Sequence, residues 1–174
     1  DAKPEGRSTT GYYLRKLVDE AHNFTSIQAS TQPWTEIRYA EVLLNHAEAC
    51  YHLNGYTDKA NKDIKDIRNR VGLSYTDQSG DDLMKAIRQD RKVELAYEGH
   101  YYWVMRRWKL SATAFTGIRL HGMKIEKNAN GSFTYIYTEC DDKDRNFPTK
   151  MYRFPMPQAE LDNNGAVTQY AEWQ

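Results

Sequence analysis

The stretch Thr35-Glu-Ile-Arg-Tyr-Ala-Glu-Val-Leu-Leu-Asn-His-Ala-Glu-Ala-Cys-Tyr51 decides the fold class of this 174-residue chain. Ile37, Ala40, Leu43, Leu44, Ala47 and Tyr51 recur at three- and four-residue intervals, which lays one apolar stripe along a helix. Pro33 precedes this helix and Gly55 ends it. A second stripe follows directly: Ala60, Ile64, Ile67 and Val71 stand among Asn, Lys, Asp and Arg from Thr57 to Arg70, and Gly72 stops the run. The small side chains of Ala47 and Ala60 let the two helices approach closely.

A helix pair of this length looks like one tetratricopeptide-type repeat of about 34 residues. Solenoid repeats bury their faces against neighbours and need about three units or more, so one pair implies preceding repeats in a longer parent protein. A third helix is expected from Ser79 or Gly80 to Glu98, with Asp81 and Asp82 in its first turn, where carboxylates meet the positive end of the helix dipole. Gly99 breaks it, and His100 to Lys109 resumes as a short aromatic helix. Further on, Phe133, Tyr135 and Tyr137 alternate with polar residues as a half-buried strand does, after the turn signal Asn130-Gly131. Met151 to Phe154 is the expected pairing partner, closed by Pro155 and Pro157, and Gln158 to Gln174 reads mostly as loop. The fold expected is mainly α, with tetratricopeptide-like helical repeats, a small β-hairpin and irregular C-terminal additions. Residues 1–34 form an extended N-terminal segment, with Gly11 to Val18 extended within it; 35–110 form the helical repeat region, and 111–174 a strand and loop part of the same domain.

Lys plus Arg equal Asp plus Glu at 24 each, so no global positive field exists to hold a nucleic acid. No apolar run approaches the roughly 18 residues of a membrane span. Asp1 to Thr10 carries no charged-then-apolar leader, and the chain reads as mature, soluble sequence. Cys50 lies on the buried face of the first helix and is expected as a free thiol, while Cys140 sits in a polar loop. A disulfide between them stays open. Neither has a Cys or His partner at zinc-type spacing, so no metal and no cofactor is expected.

The densest chemistry is Asp90, Arg91, Glu94 and Glu98, with Tyr101, Tyr102, Trp103, Arg106, Arg107 and Trp108 close behind. Two carboxylates beside aromatics suit a glycoside hydrolase using Glu94 and Glu98. Each carboxylate also has an Arg within reach, and paired carboxylates keep low pKa values, which is wrong for a general acid. A structural ion network is therefore expected from Arg38, Glu41, Glu48, Arg68, Arg91, Glu94, Glu98 and Arg107. The histidines lie among Ser and Cys without a triad context; His46 and His52 are assigned to surface or packing. No Gly-rich phosphate loop is present.

Several blocks together resemble the C-terminal part of the SusD/RagB family. They are Thr10-Gly-Tyr-Tyr-Leu-Arg-Lys16, Ile37 through Ala49, Ile67-Arg-Asn-Arg-Val-Gly-Leu73, Ile87 through Glu98-Gly-His100, Arg106-Arg-Trp-Lys109 and Tyr152-Arg-Phe-Pro-Met-Pro-Gln-Ala-Glu-Leu161. Tyr101 stands where the family usually has Arg, Val104 where it often has Asp, and Tyr170-Ala-Glu-Trp173 replaces its commoner ending. The resemblance implies a non-catalytic surface lipoprotein of the outer membrane. Such a protein captures glycans for import through a SusC-like TonB-dependent transporter, and its only membrane contact is a lipid anchor absent from this chain. Trp34, Tyr12, Tyr13 and Trp103 are the ligand-binding candidates, each expected first as core. The alternatives are a tetratricopeptide-type scaffold that grips peptides, for which Phe154-Pro-Met-Pro157 has no use, and the glycosidase.

Overall fold

A computed structural model describes residues 8–21 and 30–174. Helix α1 spans Tyr39–His52 and buries Leu44, Ala47, Glu48 and Cys50 along one face. It starts later than its apolar stripe, because Arg38 is extended at the N-cap while its carbonyl receives the first amides, from Glu41 and Val42. Ile37 therefore falls outside the helix and is exposed, against expectation. Helix α2, Thr57–Asn69, buries Ala60, Ile64 and Ile67. Its end is a left-handed glycine cap: Gly72 has φ +73°, and the Leu73 amide reaches back to the Arg68 carbonyl. Val71, expected on the stripe, lies beyond the helix and is exposed.

Helix α3, Gly80–Glu94, buries Leu83, Met84, Ile87 and Arg91. It stops short of the expected Glu98, because Tyr97 turns left-handed at φ +65° ahead of Gly99. α1 packs on both α2 and α3. Their core joins Leu44, Ala47, Cys50, Ala60, Ile64, Ile67, Leu83, Met84 and Ile87 with Leu95 from the turn. Each large aliphatic side chain so buried contributes roughly 1.5–3 kcal/mol. Asn61 is buried among them with its amide fully used. It donates to the Thr57 and Gln78 carbonyls and accepts from Tyr75 Oη and the Gln78 amide, which ties the α2–α3 loop down.

These helices belong to one compact unit, 18–101; the second comprises the N-terminal stretch to Leu17 together with Tyr102–Gln174. Helix α4, His100–Arg107, leads into the second unit, where the short α5, Ser111–Ala114, follows. Strands β1, His121–Lys127, and β2, Phe133–Glu139, pair antiparallel, from His121 opposite Glu139 to Lys127 opposite Phe133. The turn forms where Asn130-Gly131 predicts it, with Gly131 at φ +82°. The partner differs from the expected Met151–Phe154: Thr149–Tyr152 is a 3-10 helix whose carbonyls are taken by Arg106. The half-buried strand is also corrected, since every residue of β2 is exposed.

Beside β1, the Met123 amide donates to the Thr10 carbonyl at 2.8 Å. Backbone meets backbone here, and a Cβ on Gly122 would stand 2.4 Å from Thr10 O. The stretch after Gly11 forms no strand and turns at Leu17, φ +65°. Within the tail expected as loop, α6, Gln158–Asn163, begins behind Pro157, and Ala171–Trp173 forms a 3-10 turn. The described residues thus make six α-helices and one two-stranded sheet, the mainly α class with a small hairpin that the sequence predicts.

Candidate functional site

The carboxylates flagged in the sequence converge on one guanidinium. Arg38 Nη1 donates to Glu94 Oε1 at 2.6 Å, Nε to Glu98 Oε2 at 2.7 Å and Nη2 to Glu98 Oε1 at 2.8 Å. Arg70 Nη2 bonds Glu94 Oε1 and Oε2 at 2.8 and 2.9 Å. All four carboxylate oxygens therefore accept guanidinium hydrogens, and neither group is left to deliver a proton to a leaving group. The two carboxylates hold Arg38 charged well above its ordinary range.

Arg68, Arg91 and Glu41, also expected in the network, make contacts of their own. Arg68 Nε pairs with Asp90 at 3.0 and 3.1 Å, and burial still pushes the Asp90 carboxyl up against that pull. Arg91 bonds the Asn45 side chain, Glu41 faces His100 Nδ1 at 3.8 Å, and Glu48 is buried. Arg107 belongs to the second unit, over the Trp108 ring at 5.4 Å. Arg70 is absent from the sequence reading, although its place three residues past Ile67 puts it beside the helix end that faces Glu94.

A Cys-His-Asp constellation also went unread. Cys50 Sγ is 3.4 Å from His46 Nε2, and His46 Nδ1 is 2.5 Å from Asp63 Oδ2. The thiol is only 4% exposed, and burial pushes its pKa up, with Asp63 adding to the shift. A nucleophilic cysteine needs the opposite environment, so the trio works as a tie between α1 and α2. Both cysteines are free. Among the described residues no His, Cys, Asp and Glu group converges on a metal-sized site, and no helix is long and apolar enough to cross a membrane.

The aromatic candidates are not core. Tyr12, Tyr13, Trp34 and Trp103 are 56%, 72%, 65% and 57% exposed. Trp34 lies in the helical unit and the other three in the second. Tyr13 borders an open cavity of about 470 Å³ with Gly11, Met123, Ile125 and Thr138. Trp103 meets Phe154 edge to face, ring centroids 6.2 Å apart, beside a second buried guanidinium.

That guanidinium is Arg106, 9% exposed. It donates to the Met151 carbonyl and, at 2.9 Å, to the Tyr152 carbonyl, with the Phe154 ring 4.3 Å away. The 149–154 segment is thereby clamped to α4, and the Trp173 indole N–H donates to the Arg153 carbonyl at 2.9 Å. Between these ties opens a cavity of about 610 Å³ lined by Lys109, Thr149, Lys150, Tyr152, Arg153 and Glu172. Its size is that of a small-ligand site, and it joins the Tyr152 ring, three cations and the Thr149 hydroxyl on a fixed frame.

The sequence profile of the SusD family matches residues 1–173. In structure the chain is similar to BT4246, a Bacteroides SusD-like protein. Its selenomethionine form is 26% identical with a TM-score of 0.61, covering 78% of this chain and 24% of that one. A second BT4246 structure, 24% identical with a TM-score of 0.64, covers 82% of this chain and shows the same fold. This chain spans only 24% of the length of either. No curated protein matches it in sequence. With that profile running from the first residue to the last but one, and the helical fold shared with BT4246, the chain belongs to the SusD family.

Proposed function

We propose that this chain is part of a surface protein that captures glycans without chemistry and passes them to a SusC-like TonB-dependent transporter. The observation that carries this is the SusD-family match across residues 1–173. The geometry supports it at two points. The carboxylate pair that suits a glycoside hydrolase, Glu94 and Glu98, is consumed by Arg38 and Arg70. The exposed rings and the 610 Å³ cavity of the second unit offer flat faces and polar groups on a clamped backbone, which is how protein sites take sugar rings. The protein would stand on the outer face of the outer membrane, held by a lipid anchor outside residues 1–174.

The test is isothermal calorimetry of the full-length parent protein against neutral and acidic oligosaccharides and a set of peptides, with chromatography of the recovered sugars. Binding with the sugars recovered intact is expected. Shortened products that vanish in Glu94→Gln would establish a hydrolase instead, and binding confined to peptides a scaffold.

A further inference from the structure

The 610 Å³ cavity is unbalanced in charge. Lys109, Lys150 and Arg153 face a single carboxylate, Glu172, and the Arg153 Nη1 to Glu172 Oε1 separation is 4.0 Å between exposed side chains, a loose pair. Neither Lys109 nor Lys150 has a carboxylate partner among the described residues. Each ammonium lies against an aromatic ring instead: Lys109 Nζ 4.6 Å from the Tyr152 centroid and Lys150 Nζ 4.4 Å from that of Trp173. Arg153 covers Tyr170 at 3.3 Å. The rings hold the three cations in place without neutralising them.

The backbone at Lys109 adds a separate observation. Lys109 has φ +59° at the end of α4, where its amide bonds the Arg106 carbonyl and the Leu110 amide bonds that of Met105. That is the position in a helix cap at which glycine is the least strained choice. A lysine here retains backbone strain and places a cation at the mouth of the cavity.

We propose that this cavity binds the negatively charged group of an acidic saccharide, a uronate carboxylate or a sulfate ester. Lys109 and Lys150 supply the charge, and Thr149 and Tyr152 supply a hydroxyl and a ring for the rest of the sugar. The assignment rests on the glycan-capture function proposed above and narrows its substrate class. A neutral glycan can take only hydrogen bonds from the two ammonium groups, whereas an anion gains in addition a charge attraction that salt weakens.

The test is calorimetry with oligogalacturonate, its methyl ester and a sulfated galactan oligosaccharide, with neutral starch and xylan oligosaccharides alongside. The proteins are the full-length parent as wild type, with the double substitution Lys109→Gly and Lys150→Gln, and with Lys150→Arg. Glycine accommodates the left-handed turn, so the double variant should melt with the wild type. Expected are binding of the acidic ligand that weakens with salt, a loss of about tenfold in the double variant, and retention in Lys150→Arg. Whether oligogalacturonate or the sulfated galactan binds distinguishes carboxylate from sulfate. If the methyl ester binds as tightly as the acid, or the double variant binds the acid as the wild type does, the acidic-sugar assignment is overturned while glycan capture stands. If no saccharide binds, neutral ones included, both fall.

Discussion

Replacing Arg38 by alanine tests whether the guanidinium hub holds the helical unit in register. Three of its N–H groups reach carboxylate oxygens at 2.6 to 2.8 Å, and Nη2 also donates to the Glu94 carbonyl at 2.5 Å. The loss is unequal for the two partners. Glu94 keeps Arg70 on both oxygens, but Glu98, whose side chain is 10% exposed, loses both charge-assisted bonds from Arg38. Removing one member of a fully buried pair costs about 3–5 kcal/mol. Arg38 is 27% exposed, so water recovers part of that, and about 2–3 kcal/mol is expected. For a chain of this length each kcal/mol moves Tm by about 2–4 °C, which sets the shift near 5–10 °C. Arg38→Lys restores the charge without the planar fork and should recover less than half. Urea unfolding measures the loss, and hydrogen exchange at the α1 and α3 amides localises it. A double-mutant cycle with Glu98→Gln should give a coupling above about 1 kcal/mol. A Tm shift below about 1 °C, or Arg38→Lys matching the wild type, would show the hub to be a solvated surface pair and refute its structural role.

Arg106→Lys should cost about 2 kcal/mol, seen as faster hydrogen exchange across 149–154 with the α1 amides unchanged, because one ammonium cannot serve both carbonyls that the fork reaches. Gly122→Ala brings a Cβ within 2.7 Å of Thr10 Cα; a loss of about 1–3 kcal/mol and deprotection of the Met123 amide are expected. Cys50 should resist iodoacetamide at pH 8.5 in the native chain while Cys140, in the looser environment, reacts; mass spectrometry reads both. Since burial lifts the Cys50 thiol above its ordinary 9.0, the native state holds that proton when the unfolded state has lost it. Stability is then fully present below about pH 9 and falls as pH rises further, a slope that Cys50→Ala should reduce.

The helical unit was legible because its burial is periodic. Leu44, Ala47, Ala60, Ile64, Leu83 and Ile87 are all buried, and each sits where a three- and four-residue spacing puts it. The second unit lacks that signal. β1 reads His-Gly-Met-Lys-Ile-Glu-Lys, where only Met123 and Ile125 alternate with charges, too short a run to mark a strand, and no residue of β2 is buried to fix a register by pattern. Arg106 and Arg107 are neighbours of one type, and the sequence offers no local signal for which is buried, although Arg107 is the one expected in the ion network; the carbonyls of a distant segment decide that Arg106 is buried and Arg107 exposed. The exposed rings of Trp34 and Trp103 escaped for the converse reason, since a large aromatic in sequence reads as core until something shows that nothing covers it.

The two units solve the problem of fixing a fold by different means, and the difference bears on function. The continuous apolar core runs from Leu44 to Leu95. Outside it the buried apolar residues are Val104, Met105 and Phe147 among those described. The second unit must therefore take its definition from directional contacts: Arg106 on two carbonyls, Trp173 on Arg153, and Thr10 against Gly122. Such ties fix backbone while leaving side chains in water. Tyr135, Tyr137, Trp103 and Phe154 stay exposed, and the Tyr152 ring under Lys109 borders an open cavity. A unit held by a larger apolar core would bury those faces and gain stability, but it would remove the surface that the proposed capture of sugars needs, the usual opposition between stability and a working site. Substitutions that make the second unit more apolar inside should thus raise its melting temperature and weaken saccharide binding together. The same substitutions in the α1–α3 core should raise stability alone.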